Sequence, residues 1–141
     1  MMSQKEQQIV VEFCNAWGDG ATARPDVDKI IGMFAEDGVW QLWVPAGPTF
    51  KGRAALRSEI DRQCGFSTFM HCGITKIISS GPIVVTERVD HFTMHGIRVE
   101  HALMAIYEID ADGKVAAWRE YFDTADIGKQ LGMRPEAVIG G

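Results

Sequence analysis

The sequence lacks clusters of lysine or arginine, and it lacks any apolar segment of membrane-spanning length. Its 14 basic and 19 acidic residues give a net charge of −5, whereas nucleic-acid-binding surfaces are basic. A membrane-spanning helix needs about 20 consecutive apolar residues. Residues 1–8 are too polar to form the apolar core of a signal peptide. We therefore expect a cytoplasmic protein that binds neither nucleic acid nor a membrane.

Cysteine and histidine are also scarce. The three cysteines, Cys14, Cys64 and Cys72, are odd in number and do not have the spacing of metal ligands. His71 and His101 could hold a metal ion together with a carboxylate, but they lack the short ligand spacing of common metal sites. The sequence therefore predicts three free thiols and no metal.

The pattern that is present is that of one folded domain, residues 1–141, with 46% hydrophobic residues. Helices are predicted from Ser3 to Gly18, from Pro25 or Asp26 onwards, and from Arg53 to about Gln63. Strands are predicted over 38–44, 67–79, 83–95, 98–109 and 115–122, followed by a loose tail at 135–141. Helices that precede a run of meandering strands predict an α+β fold, in which a curved sheet wraps around the helices.

One predicted strand carries charge on an apolar face. Successive side chains of a strand point to opposite faces, so Arg88 and Asp90 share a face with Val84, Phe92 and Met94. Burying either charge without a partner is costly, and catalysis or ligand recognition would explain the cost. The pair could also be a satisfied ion pair at the end of a barrel, or an exposed pair if the strand register shifts by one residue.

A second carboxylate, Glu120, lies between Trp118 and Phe122 on one face of a later strand. If the predicted faces all look inward, one apolar cavity receives the candidate catalytic residues Arg88, Asp90, Glu120, His71 and His101. The predicted substrate-binding wall consists of Trp40, Leu42, Phe69, Phe92, Leu103, Tyr107, Trp118 and Phe122. Two carboxylates joined by a guanidinium can differ in pKa, so that one is ionised and the other protonated. Such a pair can act as base and acid in one step, although the residues alone leave open which is which.

Three segments then suggest a family. They are residues 31–37, residues 85–90 and residues 113–123. On these segments the chain, from about Glu6 to Leu131, resembles a limonene-1,2-epoxide hydrolase-type member of the NTF2-like (SnoaL-like) superfamily. The resemblance implies a cone-shaped, highly curved sheet of mixed or antiparallel strands, with N-terminal helices closing a deep apolar pocket. It also implies a homodimer, no cofactor, and a small apolar or aromatic substrate.

The resemblance further implies roles for the charged residues. Asp90 corresponds to the acid, Arg88 to the bridging cation and Glu120 to the base, which is an aspartate in the family pattern. The family's water-holding Tyr and Asn fall on Trp40 and Leu42, and neither side chain can accept a hydrogen bond from water. The site has therefore lost groups that position water, while His71 and His101 lie on predicted inward faces.

Three functions remain open on these grounds. The first is an epoxide hydrolase acting on a mostly apolar substrate, which the similarity of the whole chain favours. The second is a cofactor-independent lyase, dehydratase or isomerase, which Trp40 and Leu42 favour; the carboxylates and His71 or His101 would move protons, and Tyr107 would donate to a developing oxyanion. The third is a non-enzymatic ligand-binding or protein-interaction module, since one fold serves many functions.

Overall fold

The structure, a computed structural model, describes residues 4–22 and 24–133. The helices are α1 (Gln4–Asn15), α2 (Val27–Met33), α3 (Arg53–Cys64) and α4 (Asp126–Leu131). The strands are β1 (Phe34–Gln41), β2 (Thr49–Lys51), β3 (Ser67–Ser80), β4 (Ile83–Met94), β5 (Ile97–Ile109) and β6 (Val115–Tyr121). The predicted cap at Ser3 and the predicted loose tail at 135–141 lie outside the described residues. The predicted α+β fold with N-terminal helices is confirmed.

Two elements were not predicted, because each is too short to show a periodic pattern. Strand β2 has three residues between Pro48 and Gly52, and helix α4 has six residues. Helix α4 ends at Gly132, whose φ of 69° is the left-handed conformation typical of a helix C-terminus. The first strand also begins at Phe34, four residues before its predicted start. No described helix is long and apolar enough to cross a membrane.

The strands form one mixed sheet in the order β2-β1-β6-β5-β4-β3. Neighbouring strands are antiparallel except for β1 and β6, which are parallel. The register shifts twice between β3 and β4, once between Thr68 and His71 and again between Ile74 and Lys76. Such irregularities bend a strand and increase its twist, which curves this end of the sheet around a hollow.

Helix α1 covers the inner face of the sheet because its apolar residues recur every three or four positions. Val10, Phe13 and Cys14 are buried. The ring of Phe13 lies edge-on to Trp118, with the two ring centroids 5.0 Å apart. Helix α3 adds Leu56 and Ile60, which are fully buried. The helices therefore close one part of the curved sheet with a packed core and leave the other part as a cavity.

Candidate active site

The cavity has a volume of about 160 Å³ and lies between the sheet and the ends of the helices. Most of its wall is aromatic or apolar. The charged and polar side chains on the wall include Arg88, Asp90, Glu120, His71, His91 and His101. All five candidate catalytic residues from the sequence thus reach the same cavity. An apolar cavity with a few convergent polar groups is the usual form of a small-molecule site.

Arg88 joins the two carboxylates. Its side chain is 2% exposed, and its Nε donates to Oδ1 of Asp90 at 3.0 Å. Its Nη2 donates both to Oδ2 of Asp90 at 2.6 Å and to Oε2 of Glu120 at 2.8 Å. Asp90 therefore accepts two hydrogen bonds from the cation and Glu120 accepts one. The two charges on the apolar strand face are therefore paired with each other, and the cation also pairs with Glu120.

The register of the sheet explains how the guanidinium reaches across a whole strand. Glu120 of β6 pairs with Ala105 of β5, and Ala105 pairs in turn with Thr86 of β4. Ala105 is fully buried and has the smallest chiral side chain. Since it fills little space between the outer two strands, the long side chain of Arg88 can pass over β5 to Glu120.

A further hydrogen bond of Arg88 involves the guanidinium nitrogen that does not contact the carboxylates. Its Nη1 donates to the hydroxyl oxygen of Tyr107 at 2.7 Å. That oxygen lies 2.9 Å from Oγ1 of Thr86 and 3.6 Å from Sγ of Cys14. Tyr107, Thr86 and Cys14 are all buried. Arg88 is therefore held at both ends of its guanidinium.

The surroundings of Glu120 favour its protonated form. Burial raises the pKa of Glu120 from 4.5 to about 7, and the negative charge of Asp90 adds to this rise, while Arg88 opposes it. Leu42 stands beside it, because Gln41 pairs with Arg119 in the parallel β1–β6 pair. A carboxyl group with a pKa near 7 can give or take a proton at neutral pH.

His101 lies directly opposite Asp90 in the β4–β5 pair and is 7% exposed. Its ring packs edge-on against Phe122, with the centroids 4.5 Å apart. Burial lowers the pKa of His101, and the charges of Asp90 and Arg88 act in opposite directions. Its Nδ1 has no hydrogen-bond partner within the described part of the chain. Burial therefore favours the neutral form of the His101 imidazole, which lies on the side of the cavity that holds Asp90.

The predicted apolar wall is found at five positions: Trp40, Leu42, Phe92, Trp118 and Phe122 line the cavity. Trp40 stacks on Trp118 with ring centroids 4.4 Å apart and planes 10° apart. Neither indole N–H has a hydrogen-bond partner among the described residues. The water-holding positions expected from the family thus carry a stacked indole and an aliphatic side chain.

Three residues predicted as wall do not line the cavity. Phe69 lies in the first register shift of β3 with a φ of 53° and is half-exposed, because the irregularity turns it outward. Leu103 is buried but is not part of the wall. Tyr107 lies behind Arg88, so its predicted role as a donor to substrate is not supported.

The sequence pattern missed a further part of the wall. Arg62, Gln63 and Phe66, at the end of α3 and just beyond it, line the cavity. Both Arg62 and Gln63 donate to the buried carboxylate of Glu59, and the Arg62 guanidinium lies 5.3 Å from the ring centroid of Phe66. The alternation of side chains along strands cannot predict wall residues that come from the end of a helix.

Comparison with solved structures identifies the fold class of the protein. A protein from Catenulispora acidiphila with a ketosteroid isomerase-like fold matches with a TM-score of 0.78 at 19% identity, covering 92% of this chain and 95% of that one. An LEH-like epoxide hydrolase from M. tuberculosis matches with a TM-score of 0.75 at 25% identity, covering 97% of each chain. These matches show a ketosteroid isomerase-like fold, and an NTF2-like protein from Burkholderia pseudomallei matches with a TM-score of 0.77 at 19% identity, covering 91% of this chain and 98% of that one.

Comparison of the sequence with protein-family models identifies the family. Residues 6–134 match the family model of the limonene-1,2-epoxide hydrolase catalytic domain. The chain belongs to this family. Epoxide hydrolase EphG of Mycobacterium tuberculosis is 33% identical over 78 residues, which are 55% of this chain and 49% of EphG. The matched segment thus spans about half the length of that relative.

Proposed function

We propose that this protein hydrolyses an epoxide of a small, mostly apolar molecule to a vicinal diol. The observation that carries the proposal is the buried Arg88, which donates hydrogen bonds to two carboxylates at the edge of an apolar cavity. Membership of the limonene-1,2-epoxide hydrolase family supports the same reaction class. The small cavity volume, about 160 Å³, suits a compact substrate.

The reaction needs one acid and one base at the same time. The oxygen of water forms a bond to one epoxide carbon while the bond from that carbon to the epoxide oxygen breaks. A base takes a proton from the water, and an acid gives a proton to the epoxide oxygen. A carboxylate pair that holds a single proton meets both needs, and proton transfer between the two groups afterwards restores the starting state.

We further propose the direction in which the proton moves: Glu120 is the acid and Asp90 is the base. This reverses the roles that the family resemblance implies. Asp90 accepts two hydrogen bonds from Arg88 and Glu120 accepts one, so the bidentate contact of the cation is made with Asp90. The pKa of about 7 for the buried Glu120 supports the same location of the proton.

The distribution of polar groups supports this direction as well. Beside Glu120, Leu42 and Trp40 provide no acceptor for the hydrogens of a water molecule. Beside Asp90, the imidazole of His101 lines the cavity. Its Nδ1 is buried, which leaves Nε2 as the ring nitrogen that can exchange a hydrogen bond with water. A water molecule activated by Asp90 therefore has a second polar neighbour, whereas one activated by Glu120 has none of the family's usual partners.

Two variants test the direction. In Glu120→Gln, the side-chain amide can still donate a hydrogen bond to the epoxide oxygen, whereas Asp90→Asn removes the proposed base. We expect Glu120→Gln to lower kcat by about 10²-fold and Asp90→Asn to lower it by about 10⁴-fold, the two ends of the usual range for general acid–base catalysis. The opposite ranking would support Glu120 as base and Asp90 as acid.

The hydrolase activity itself is tested with a panel of small apolar epoxides, with diol formation followed by gas chromatography. The matched control is Arg88→Gln, which removes the bridging cation. Diol formation by the wild type and its near-absence in the variant is the expected result. Equal rates for both proteins would rule out the site.

A lyase or isomerase on the same carboxylate pair is the second candidate. The specific observation in its favour is that Trp40 and Leu42 occupy the water-holding positions. Such a reaction moves a proton without adding water, so its product has a new double bond and gains no oxygen. Product analysis by mass separates the two candidates, because only hydrolysis adds the 18 Da of one water molecule.

The exposed face of the sheet supports a homodimer, which we propose as the assembly. Met104 and Tyr121 are paired across β5 and β6, and both are more than a third exposed. Ile78 is 66% exposed. Apolar surface of this kind is common at interfaces between subunits. Sedimentation velocity is expected to give twice the mass of 15.6 kDa; a monomer at micromolar concentration would refute the dimer.

A further inference from the structure

Tyr107 is a fully buried residue with a polar hydroxyl group that the proposed reaction does not use. It is fully buried on β5, and its ring lies parallel to that of Trp118 and edge-on to that of Phe13. The ring is thus held on two sides by other aromatic rings. Its hydroxyl group lies on the side of Arg88 that faces away from Asp90.

The hydrogen-bonding capacity of this hydroxyl group is fully used. A phenol has one donor hydrogen and two acceptor positions. Arg88 can only donate, so the Tyr107 oxygen accepts from Nη1 across 2.7 Å. Thr86 at 2.9 Å and Cys14 at 3.6 Å supply the other two partners, one accepting the phenol hydrogen and the other donating. No hydrogen remains for a substrate.

We propose that Tyr107, held by Thr86 and Cys14, is the positioning residue that fixes the orientation of the Arg88 guanidinium. A guanidinium is planar, so fixing Nη1 also fixes the directions of Nε and Nη2. With Nη1 anchored on Tyr107, Nε and Nη2 face Asp90, and Nη2 also reaches Glu120. Tyr107 thereby sets the two-to-one division of hydrogen bonds between the carboxylates.

Loss of the Tyr107 hydroxyl would free this end of the guanidinium. A buried N–H without an acceptor is unfavourable, so the guanidinium would rotate in its plane to bring Nη1 toward Asp90, which already holds it by two hydrogen bonds. The bond from Nη2 to Glu120 would then be loosened. Since Arg88 lowers the pKa of Glu120, its displacement raises that pKa further.

The consequence for turnover rests on the proposed function. Tyr107 touches no substrate, so its loss should leave KM within about twofold. Small misplacement of a catalytic group costs about 10²-fold in rate, and we expect kcat to fall by about 10- to 100-fold in Tyr107→Phe. Tyr121→Phe is the matched control, because the chain has only two tyrosines and Tyr121 is exposed on the outer face of the sheet.

A second readout does not depend on turnover. Carbon-13 NMR of the side-chain carboxyl groups, with the Glu120 signal assigned from its absence in Glu120→Gln, gives the titration midpoint of Glu120 directly. We expect the midpoint to rise in Tyr107→Phe and to stay unchanged in Tyr121→Phe. An unchanged midpoint and an unchanged kcat in Tyr107→Phe would overturn the proposal. Absence of any epoxide turnover in the wild type refutes the proposed function instead, and the titration then decides on Tyr107 alone.

A second pair of variants covers the case in which Tyr107→Phe does not fold. Thr86→Val removes the hydroxyl partner of Tyr107 while keeping its size, and Thr86→Ser keeps the hydroxyl. We expect Thr86→Val to raise the Glu120 midpoint and to lower kcat severalfold, and Thr86→Ser to match the wild type in both. Equal behaviour of the two Thr86 variants would contradict the positioning role.

Discussion

The replacement Glu120→Gln should make the protein's stability much less sensitive to pH. Glu120 has an ordinary pKa of 4.5 when exposed and a pKa of about 7 in the folded protein. The folded state therefore binds a proton more tightly than the unfolded state at this group. Stability must then decrease as pH rises from 4.5 to 7, because unfolding releases the proton.

The size of the effect follows from the two values. Each pH unit of difference corresponds to about 1.4 kcal/mol, so the change from 4.5 to about 7 amounts to about 3 kcal/mol at most. Between pH 5 and pH 8 the wild type should lose about 2–3 kcal/mol of unfolding free energy relative to Glu120→Gln. That is a large share of the 5–15 kcal/mol typical of a domain.

The assay is urea unfolding of both proteins at pH 5 and at pH 8. Comparing the two proteins cancels the contributions of all groups that they share. Glu108→Gln is the matched control, since Glu108 is a half-exposed carboxylate paired with Arg119, and such a surface pair contributes only about 0–1 kcal/mol. Parallel pH dependence in wild type and Glu120→Gln would refute the location of the proton on Glu120.

Three further outcomes follow from the same site. Arg88→Gln should nearly abolish turnover and lower stability by about 3–5 kcal/mol at pH 8, since it leaves two buried carboxylates without their cation; a fully active variant in steady-state assays would exclude the bridge. The value of kcat/KM should decline above pH about 7, because the acid Glu120 loses its proton there; a rate that is constant from pH 6 to pH 9 would contradict this. His101→Phe should lower kcat about five- to tenfold, the cost of one hydrogen bond, while thermal unfolding shows that packing against Phe122 is kept; an unchanged kcat would remove His101 from the site.

Much of the fold was accessible from the sequence because its elements are long. Strands β3, β4 and β5 have 12 to 14 residues each, so their alternation places Arg88 and Asp90 on the same face. The same alternation puts Glu120 on one face with Trp118 and Phe122. These patterns brought together the three charged residues that the structure joins by hydrogen bonds.

The wrong predictions about the cavity wall have local physical causes. Alternation fails where the register shifts, and Phe69 lies in such a shift with a positive φ. Tyr107 does lie on the inner face of its strand, as the alternation predicts. The side chain of Arg88 lies between it and the cavity, so Tyr107 does not reach the wall. The contribution of Arg62 and Phe66 depends on how α3 packs against the sheet, which no local pattern encodes.

The most direct test of the central claim is turnover in water enriched in oxygen-18. A hydrolase that uses the Arg88-bridged carboxylates to activate water forms a diol with one labelled hydroxyl group per molecule, already in the first turnover, because neither carboxylate becomes bonded to the substrate. Mass spectrometry of the product measures the label. An unlabelled product with a new carbon–carbon double bond would contradict the account and establish a lyase or isomerase.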